Sequence, residues 1–377
     1  EVEPYFKGQK TAEEIPLYAR EKKREPKPRK NATFDSVMSE YSKDFHCINV
    51  QMNRGVSVKE VFTKPLEYYK IFKREKFDYV QYATTNASFY CCLVAKMLGI
   101  KTRVYCSWGL LYEGYTGFKR VFYKRIEKFL CDSATHITVA SYKNLEVAAR
   151  DGVLDRNKAS VIGDGGTVGV DLNRFNIDKR DEYKSQVHEE YPVLKGKTVF
   201  GCVGRIETDK GIMELLSAFI KADNPDYALL LIGKFDELRC DIDPALLAKA
   251  KSMNNIIFHG FSREVPKYMS AMDILVHPTY REGFSMVIQQ AMAMGCAIIT
   301  TNVPGPSEVI EEGKSGLLVP DHSIDELSEA MITLGDDKNL QNSFSEAGLI
   351  RVREKFERSR MLRLTLENRE KMMNKEI

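Results

Sequence analysis

The chain has 377 residues, of which 43% are hydrophobic and 29% are charged, and its net charge is +3. This apolar fraction excludes a disordered chain, and no apolar run approaches the roughly 18 residues of a membrane-spanning helix. Residues 1–170 carry 29 Lys and Arg against 20 Asp and Glu, so this half is basic. A basic half favours an anionic partner, although an ordinary solvated face would give the same count.

The first half of the chain begins with a polar segment, residues 1–32, which is typical of an extended arm. Short apolar runs then alternate with longer helical patterns, which predicts a parallel sheet with right-handed crossovers. The predicted helices span residues 34–43, 65–76, 88–98, 118–131 and 142–151, and the predicted strands span 45–50, 77–82, 102–106, 136–140 and 160–162.

A charged and loosely patterned segment, residues 171–197, predicts a connection between two domains. The alternation of strands and helices restarts after it. The predicted strands are 198–203, 228–232, 256–259, 274–277, 297–301 and 317–319, with helices starting near Gly211, Pro244, Val265, Ser285 and Ser307, and a helical end from Ile324.

We therefore expect an α/β protein of two Rossmann-like, doubly wound domains that face a cleft. The first would comprise residues 1–170 and the second residues 198–355, and a final helix over 356–377 would pack back on the first domain. In open parallel sheets, ligands bind at the carboxyl ends of the strands. Eight cysteines, mostly in apolar runs and without C-x-x-C spacing, favour buried thiols in a cytoplasmic protein.

Two patterns resemble metal sites without the features that such sites need. Asp241 and Asp243 precede Pro244 at a predicted helix start, where Asp is a common cap, so we favour the cap. His259 and His277 end strands that we expect to be neighbours, and the two side chains could meet. Two histidines alone do not predict a metal site.

The first segment with a chemical signal runs from Gly204 to Gly211, directly after a predicted strand. Its two cations, Arg205 and Lys210, lie beside the start of a helix, where they could bind a diphosphate without metal. An ordinary strand–helix loop with a solvated Arg and Lys is the alternative.

The second segment runs from His277 to Gly295. Glu282 lies in its loop, Gly283 allows a ligand to approach the backbone, and Ser285 can cap the following helix. The unpaired amides from Gly283 to Met286 could then bind phosphate oxygens, while Glu282 accepts hydrogen bonds from sugar hydroxyls. The alternative is a capped core helix with an incidental glutamate.

Two further segments complete the pattern, Val303-Pro-Gly-Pro-Ser-Glu-Val-Ile310 and Gly313-Lys-Ser-Gly-Leu-Leu-Val-Pro320. In order and spacing, the four segments together resemble the retaining family-4 glycosyltransferases with the GT-B fold. The resemblance is strongest to bacterial members that build capsular or lipid-linked polysaccharides. Residues 108–114 and 169–175 are similar to the acceptor-side loop and the domain hinge of that family.

The resemblance implies a metal-independent, retaining transfer of a sugar from a nucleotide-sugar donor, here a UDP-sugar, to a sugar hydroxyl. The donor is a substrate, so no cofactor is expected. The implied acceptor is a saccharide, free or linked to a polyprenyl diphosphate, and no nucleic acid partner is expected. The implied residues are Arg205, Lys210 and Glu282 for catalysis, Gly283, Phe284, Ser285, Met286, Gln290, Gly233, Gly260, Phe261 and Val265 for the donor, and Trp108, Gly109, Tyr112 and Glu113 on the acceptor side.

Three departures from the family pattern keep other functions open. Trp108 stands where many members have a histidine, and Gln290 replaces the second acidic residue of the family's glutamate pair. The expected glycine-containing strand and loop do not appear in residues 1–45, so they either precede residue 1 or have been replaced. One alternative is a sugar-nucleotide-binding or scaffold protein with little activity. Another is a nucleotide-sugar epimerase, which would need acidic and histidine residues converging in the cleft.

The basic helix predicted around residues 117–130 has two interpretations. Phe118, Val121, Phe122, Ile126 and Phe129 repeat at helical spacing, and lysines and arginines cover the other side. One interpretation is a helix that lies on the inner membrane surface near a lipid-linked acceptor. The other is a helix whose apolar stripe faces the core and whose basic face is solvated. We favour this second interpretation for the apolar stripe.

Overall fold

The computed structural model describes residues 46, 48, 50, 58–235 and 240–374, in two compact units that divide between Val104 and Tyr105. Three predicted elements lie wholly or mostly outside the described residues: the arm over 1–32, the helix over 34–43 and the strand over 45–50. The same holds for residues 1–45, in which the family's glycine-containing loop was expected and not found. The predicted domain limits, including the division after residue 170, stay predictions.

The described residues of the first unit form two helices, one strand and the start of a second strand. Helix α1 (Val58–Glu75) leads to strand β1 (Tyr79–Ala83), helix α2 (Thr85–Met97) and strand β2 (Thr102–Ser107), whose first residues lie beside β1. Helix α1 begins seven residues before the predicted start at Pro65, and the proline lies inside it. The prediction was wrong there because proline usually occupies the first turn of a helix.

The second unit begins within strand β2. The end of β2 neighbours strand β3 (His136–Val139), which pairs in parallel with strand β4 (Ala159–Val161). Helix α3 (Gly117–Ser133) lies between β2 and β3 in the chain, and helix α4 (Tyr142–Arg150) lies between β3 and β4.

The second sheet of this unit has six parallel strands. They are β5 (Thr198–Val203), β6 (Tyr227–Ile232), β7 (Ile256–Gly260), β8 (Ile274–His277), β9 (Ala297–Thr301) and β10 (Leu317–Val319). Their order is β10-β9-β8-β5-β6-β7, so the chain changes direction across the sheet between β5 and β8. Such a switch point is where doubly wound sheets bind their ligands.

Helices cover both faces of this sheet. They are α5 (Arg180–Glu190), α6 (Ile212–Ala222), α7 (Pro244–Ser252), α8 (Val265–Ser270), α9 (Met286–Ala293), α10 (Pro306–Val309), α11 (Ile324–Asp336) and α12 (Lys338–Lys355). Helix α13 (Arg358–Asn374) instead packs near Gly163 and Gly169. One core packs around Met269, Ile288 and Met292, and the other around Phe200 and Leu215. Burial on both faces explains why these strands are continuous apolar runs. The predicted α/β fold with two parallel sheets is confirmed.

His259 and His277 do not meet, so that prediction was wrong. Strand β7, which carries His259, lies at one edge of the sheet, and β5 and β6 separate it from β8. His259 Nδ1 instead lies 2.8 Å from the hydroxyl of Tyr191. The prediction placed consecutive strands side by side, whereas the chain returns to the centre of the sheet between β7 and β8.

The segment 171–197 contains a helix that the sequence analysis missed. Val187 of α5 is fully buried, and Lys184 Nζ lies 3.1 Å from Asp273 Oδ1. The guanidinium of Arg180 donates to the backbone oxygen of Met272 at 3.0 Å and also to that of Gly295. Along this helix, the predicted connection is therefore fixed to the residues that precede strands β8 and β9.

We expect Arg180→Ala to lower the free energy of unfolding by about 2 kcal/mol, because two backbone oxygens would lose a charged donor. Urea denaturation followed by circular dichroism measures this change. Arg156→Ala is the matched control, since Arg156 forms an exposed ion pair with Glu146 and its loss should change little. Equal, small effects of both substitutions would mean that α5 is held by its apolar face alone.

Candidate functional site

Three glycines lie at the carboxyl ends of neighbouring strands in the second sheet. Gly204 and Gly233 directly follow β5 and β6, and Gly260 ends β7. The amide of Gly233 donates to the oxygen of Gly260 at 2.8 Å, and a Cβ on Gly233 would collide with the oxygen of Gly204. The turns after these strands thus pack through backbone atoms. Because these residues are glycines, they place no side chain over the carboxyl ends of the three strands.

The loop after β5 reaches the loop after β8. Lys210 ends a short 3-10 turn, Thr208–Lys210, and Gly211 then adopts a left-handed conformation with φ 66°. A Cβ on Gly211 would collide with the backbone oxygen of Pro278, so glycine is required for this approach. As a result, Lys210 Nζ lies 2.6 Å from Glu282 Oε1. The structure thus brings together two of the three predicted catalytic side chains.

Arg205, the third predicted catalytic residue, has a different partner. Its guanidinium lies 2.8 Å from Oε2 of Glu207, which is buried, while Arg205 itself is 56% exposed. The carboxylate of Glu207 orients the cation, and the guanidinium keeps donor groups that face solvent.

Glu282 is ionised at neutral pH. Partial burial alone would raise the pKa of its carboxyl group, but the adjacent ammonium group of Lys210 favours the charged form and holds the pKa below its usual value. An ionised carboxylate accepts hydrogen bonds and cannot donate them. Glu282 is therefore suited to binding hydroxyl groups and unsuited to acting as an acid.

His277 lies beneath Glu282 and was not among the predicted site residues. Its Nε2 lies 3.9 Å from Glu282 Oε1 and 3.2 Å from Ser285 Oγ, and its side chain is buried. Burial lowers the pKa of His277 to about 4, so the ring is neutral at pH 7. The sequence carries a weak signal for this residue, a histidine that ends a buried strand directly before Pro278.

Ser285 caps α9, as predicted. Its hydroxyl accepts a hydrogen bond from the amide of Ile288 at 3.4 Å. The ring of Phe284 is buried against that of Phe356, with 5.4 Å between ring centres, and Met286 packs on the core. Because these side chains point into the protein, a ligand here would meet backbone atoms of residues 283–285.

The predicted acceptor-side loop contacts the predicted donor loop through glycines. A Cβ on Gly283 would collide with the backbone oxygen of Trp108, and a Cβ on Gly109 would lie 3.4 Å from the amide nitrogen of Gly283. The indole of Trp108 remains 41% exposed. These two predicted groups of residues therefore share one site.

Tyr112 and Glu113, the other predicted acceptor-side residues, are less accessible. The ring of Tyr112 is fully buried, and the guanidinium of Arg120 lies 5.5 Å from its centre. Glu113 is partly buried, and burial raises the pKa of its carboxyl group. An acceptor could reach Tyr112 only if this turn moved.

The remaining predicted donor residues lie in different environments. Phe261, directly after Gly260, is 70% exposed, whereas Val265 packs against the core. Gln290 lines a pocket together with Asp171, Arg174 and Arg358. The structure thus places Gln290 beside the predicted hinge segment.

The described residues contain no cluster of metal ligands. Among them, no three His, Cys, Asp or Glu side chains converge in an arrangement that could hold one. Asp243 instead accepts a hydrogen bond from the amide of Ala245 at 3.0 Å, which confirms the predicted cap.

Two family models match the chain. "Glycosyl transferases group 1" matches residues 184–351, and "Glycosyl transferase 4-like" matches residues 32–141. The first range includes Lys210 and Glu282, and the second includes Trp108 and Gly109.

Similar proteins include two curated relatives and one solved structure. The capsular polysaccharide biosynthesis glycosyltransferase CapM of Staphylococcus aureus is 28% identical over 310 residues, 81% of this chain and 80% of CapM. The UDP-Gal:alpha-D-GlcNAc-diphosphoundecaprenol alpha-1,3-galactosyltransferase of Escherichia coli is 26% identical over 76% of this chain and 74% of the enzyme. HepE of Anabaena, solved with UDP and glucose, has the same fold with a TM-score of 0.73 and 18% identity, over 89% of this chain and 88% of HepE.

Stability should depend on pH through His277. A base whose pKa is lower in the folded state binds fewer protons when folded than when unfolded, so its contribution to stability is lost as pH falls from about 6.5 towards 4. Between pH 7 and pH 5 this contribution should fall by about 2 kcal/mol. Urea denaturation of the wild type and of His277→Gln at both pH values measures it.

The substitution should therefore cost less stability at pH 5 than at pH 7. His188 and His259 also have lowered pKa values, but they are present in both proteins and cancel in the comparison. A stability difference that stays constant with pH would mean that His277 is not held neutral by burial.

Proposed function

Because the chain belongs to the group 1, 4-like glycosyltransferases with the GT-B fold, we propose that it transfers a sugar, with retention, from a UDP-sugar to a sugar hydroxyl. The contact of 2.6 Å between Lys210 and Glu282, beside the backbone of residues 283–285, is the observation that carries the proposal. This contact places a cation that can stabilise the leaving diphosphate beside a carboxylate that can bind hydroxyl groups of the sugar.

Lys210 and Arg205 supply positive charge to the departing diphosphate. Negative charge develops on the diphosphate as its bond to the anomeric carbon breaks, and a cation that is already in place stabilises this charge without reorganisation. Lys210 is held by Glu282 and Arg205 by Glu207, so both cations are oriented before the donor binds. With this charge supplied by side chains, the proposed reaction uses no metal and no cofactor.

Glu282 binds hydroxyl groups of the donor sugar. Its ionised state makes it unable to protonate the leaving oxygen. The acceptor oxygen then bonds to the anomeric carbon on the face from which the diphosphate leaves, and the departing phosphate takes the acceptor's proton. Because the new bond forms on the face from which the diphosphate leaves, the configuration at the anomeric carbon is retained. The reaction therefore does not need the pair of catalytic carboxylates that glycoside hydrolases use.

The proposed acceptor is a saccharide, free or linked to a polyprenyl diphosphate, in the synthesis of a surface polysaccharide. The names of the Escherichia coli and Staphylococcus aureus relatives support this choice, since one acts on a diphosphoundecaprenol-linked sugar and the other in capsule biosynthesis. The loop of Trp108 and Gly109, which touches Gly283, is where we propose that the acceptor binds.

We also propose that α3 rests on an anionic membrane surface at the inner face. Phe118 is 82% exposed, and Val121 and Phe122 are exposed beside it, so the core-facing interpretation of the stripe was wrong over the first two turns. Lys119 and Arg125 are exposed on either side of the rings. Across the described ranges, no helix is both long enough and apolar enough to cross a bilayer.

Lys210→Ala should reduce the kcat/KM of sugar transfer by about 30- to 1,000-fold, or about 2–4 kcal/mol of transition-state stabilisation. Lys221→Ala is the control, because Lys221 forms an exposed ion pair with Asp325 away from this site. An unchanged rate in the Lys210 variant would remove this lysine from the mechanism.

Calorimetry with UDP, GDP and ADP separates the proposal from its alternatives. A transferase should bind UDP, lose affinity on Arg205→Ala, and slowly hydrolyse the donor when no acceptor is present. Binding without hydrolysis or transfer would favour a scaffold protein, and formation of an epimerised sugar would favour an epimerase. His277 and Glu282 do approach each other, but the burial of His277 keeps its ring from a substrate.

Replacing Phe118 and Phe122 by serine should weaken binding to vesicles of phosphatidylcholine and phosphatidylglycerol by at least about tenfold, because two exposed rings would no longer enter the interface. Sedimentation with vesicles measures this. Ile350→Ser, which removes an exposed apolar side chain of α12, is the control. Unchanged binding by the serine variant, or equal binding to vesicles without phosphatidylglycerol, would contradict a basic and aromatic membrane surface.

A further inference from the structure

The first turn of α4 holds a buried asparagine in a fixed orientation. Ser141 caps this helix, and its hydroxyl accepts hydrogen bonds from the backbone amide of Asn144 at 3.2 Å and from Asn144 Nδ2 at 2.9 Å. Both side chains are buried. Asn144 is not among the site residues predicted from the sequence.

Asn144 also donates to the loop that carries Glu282. Its Nδ2 lies 3.1 Å from the backbone oxygen of Glu282 and 2.9 Å from that of Gly283. Backbone oxygens can only accept hydrogen bonds, so the NH₂ group rather than the amide oxygen must face them. The two hydrogens of Nδ2 are shared among these two oxygens and Ser141 Oγ, so the side chain holds two consecutive peptide groups in place through their oxygens.

Because these two oxygens are held by hydrogen bonds, the directions of two amide hydrogens are also fixed. In a trans peptide the N–H of the next residue points opposite to the C=O, because the group is planar. The oxygens of Glu282 and Gly283 face Asn144, so the N–H groups of Gly283 and Phe284 point away from it. These amides are among those predicted to hold the donor's phosphate and sugar.

The neighbouring residue, Lys143, holds a turn that packs against the same backbone oxygens. The backbone amide of Lys143 donates to both carboxylate oxygens of Glu308 at 3.1 Å, and Lys143 Nζ lies 2.7 Å from Ser307 Oγ. Glu308 in turn accepts from the amide of Gly305 at 3.2 Å. A Cβ on Gly305 would lie 2.6 Å from the oxygen of Gly283, so this turn limits movement of the pinned peptide.

We propose that Asn144 is a positioning residue for donor binding, acting through the peptide groups of Glu282 and Gly283. It fixes the two amides that receive the donor and thereby the backbone beside the Glu282 carboxylate. This inference rests on the proposed function, since it assumes that a nucleotide-linked sugar occupies these amides.

Substitution of Asn144 tests this role. Asn144→Asp keeps the size of the side chain but turns a carboxylate towards two backbone oxygens, and Asn144→Ala removes the donor. We expect the Kd for UDP and the KM for the UDP-sugar to rise at least tenfold in both variants, while the KM for the acceptor changes less than twofold. Calorimetry and initial rates measure these constants, at temperatures where circular dichroism shows the variants to be folded.

The pH dependence of UDP binding separates positioning from a general loss of packing. When protonated, the aspartic acid can donate one hydrogen bond to a backbone oxygen, so Asn144→Asp should regain affinity for UDP, relative to the wild type, as pH is lowered. Asn144→Ala should show no such recovery. Ser328→Ala is the control, because it removes another buried hydrogen bond from a side chain to a backbone oxygen, that of Ala218, outside this site.

Each outcome decides the inference. Folded Asn144 variants with the UDP affinity and donor KM of the wild type would overturn it, and the proposed function would stand. Equal losses in Asn144→Ala and Ser328→Ala would overturn it as well, because general destabilisation would then explain both. A wild-type protein that binds none of UDP, GDP or ADP would overturn the proposed function and this inference with it.

Discussion

The short ion pair between Lys210 and Glu282 joins the loops that leave two neighbouring strands at the switch point of the second sheet. Both partners are partly shielded from water, so their attraction is stronger than that of an exposed pair. The pair keeps Glu282 ionised, and the buried ring of His277 beneath it stays neutral. A lysine, an ionised carboxylate and a neutral imidazole thus lie close together. With these charges, the site can bind hydroxyl groups and stabilise negative charge, and Glu282 cannot act as an acid.

Glycine allows the surrounding loops to come this close. Gly211 lets the lysine loop rest against Pro278, and Gly283 lets the segment of Trp108 lie on the loop of Glu282. Larger residues at either glycine would separate the two loops by the size of a side chain. The site is therefore built from backbone contacts, and Asn144 completes it by holding backbone oxygens rather than another side chain.

Much of the second half of the fold follows from local patterns in the sequence. The limits of strands 198–203 and 274–277 agree with prediction, because buried parallel strands are apolar runs that turn residues interrupt. The proximity of Lys210 to Glu282 follows from their places at carboxyl ends of strands. The contacts of His277 and Asn144 depend on which segments meet in space, and a single sequence does not encode that in any local pattern. Helix α5 escaped prediction because its exposed side is highly charged and only one of its side chains, that of Val187, is fully buried.

A double-mutant cycle on the rate of sugar transfer tests most directly whether Lys210 and Glu282 act as a unit. The variants are Lys210→Met, Glu282→Gln and the double substitution, and kcat/KM is measured for each with a UDP-sugar. Because each residue orients the other, the double variant should be faster than the product of the two single effects, with a coupling energy of at least about 1 kcal/mol. Effects that add to within about 0.5 kcal/mol would contradict such coupling, because the two side chains would then act independently.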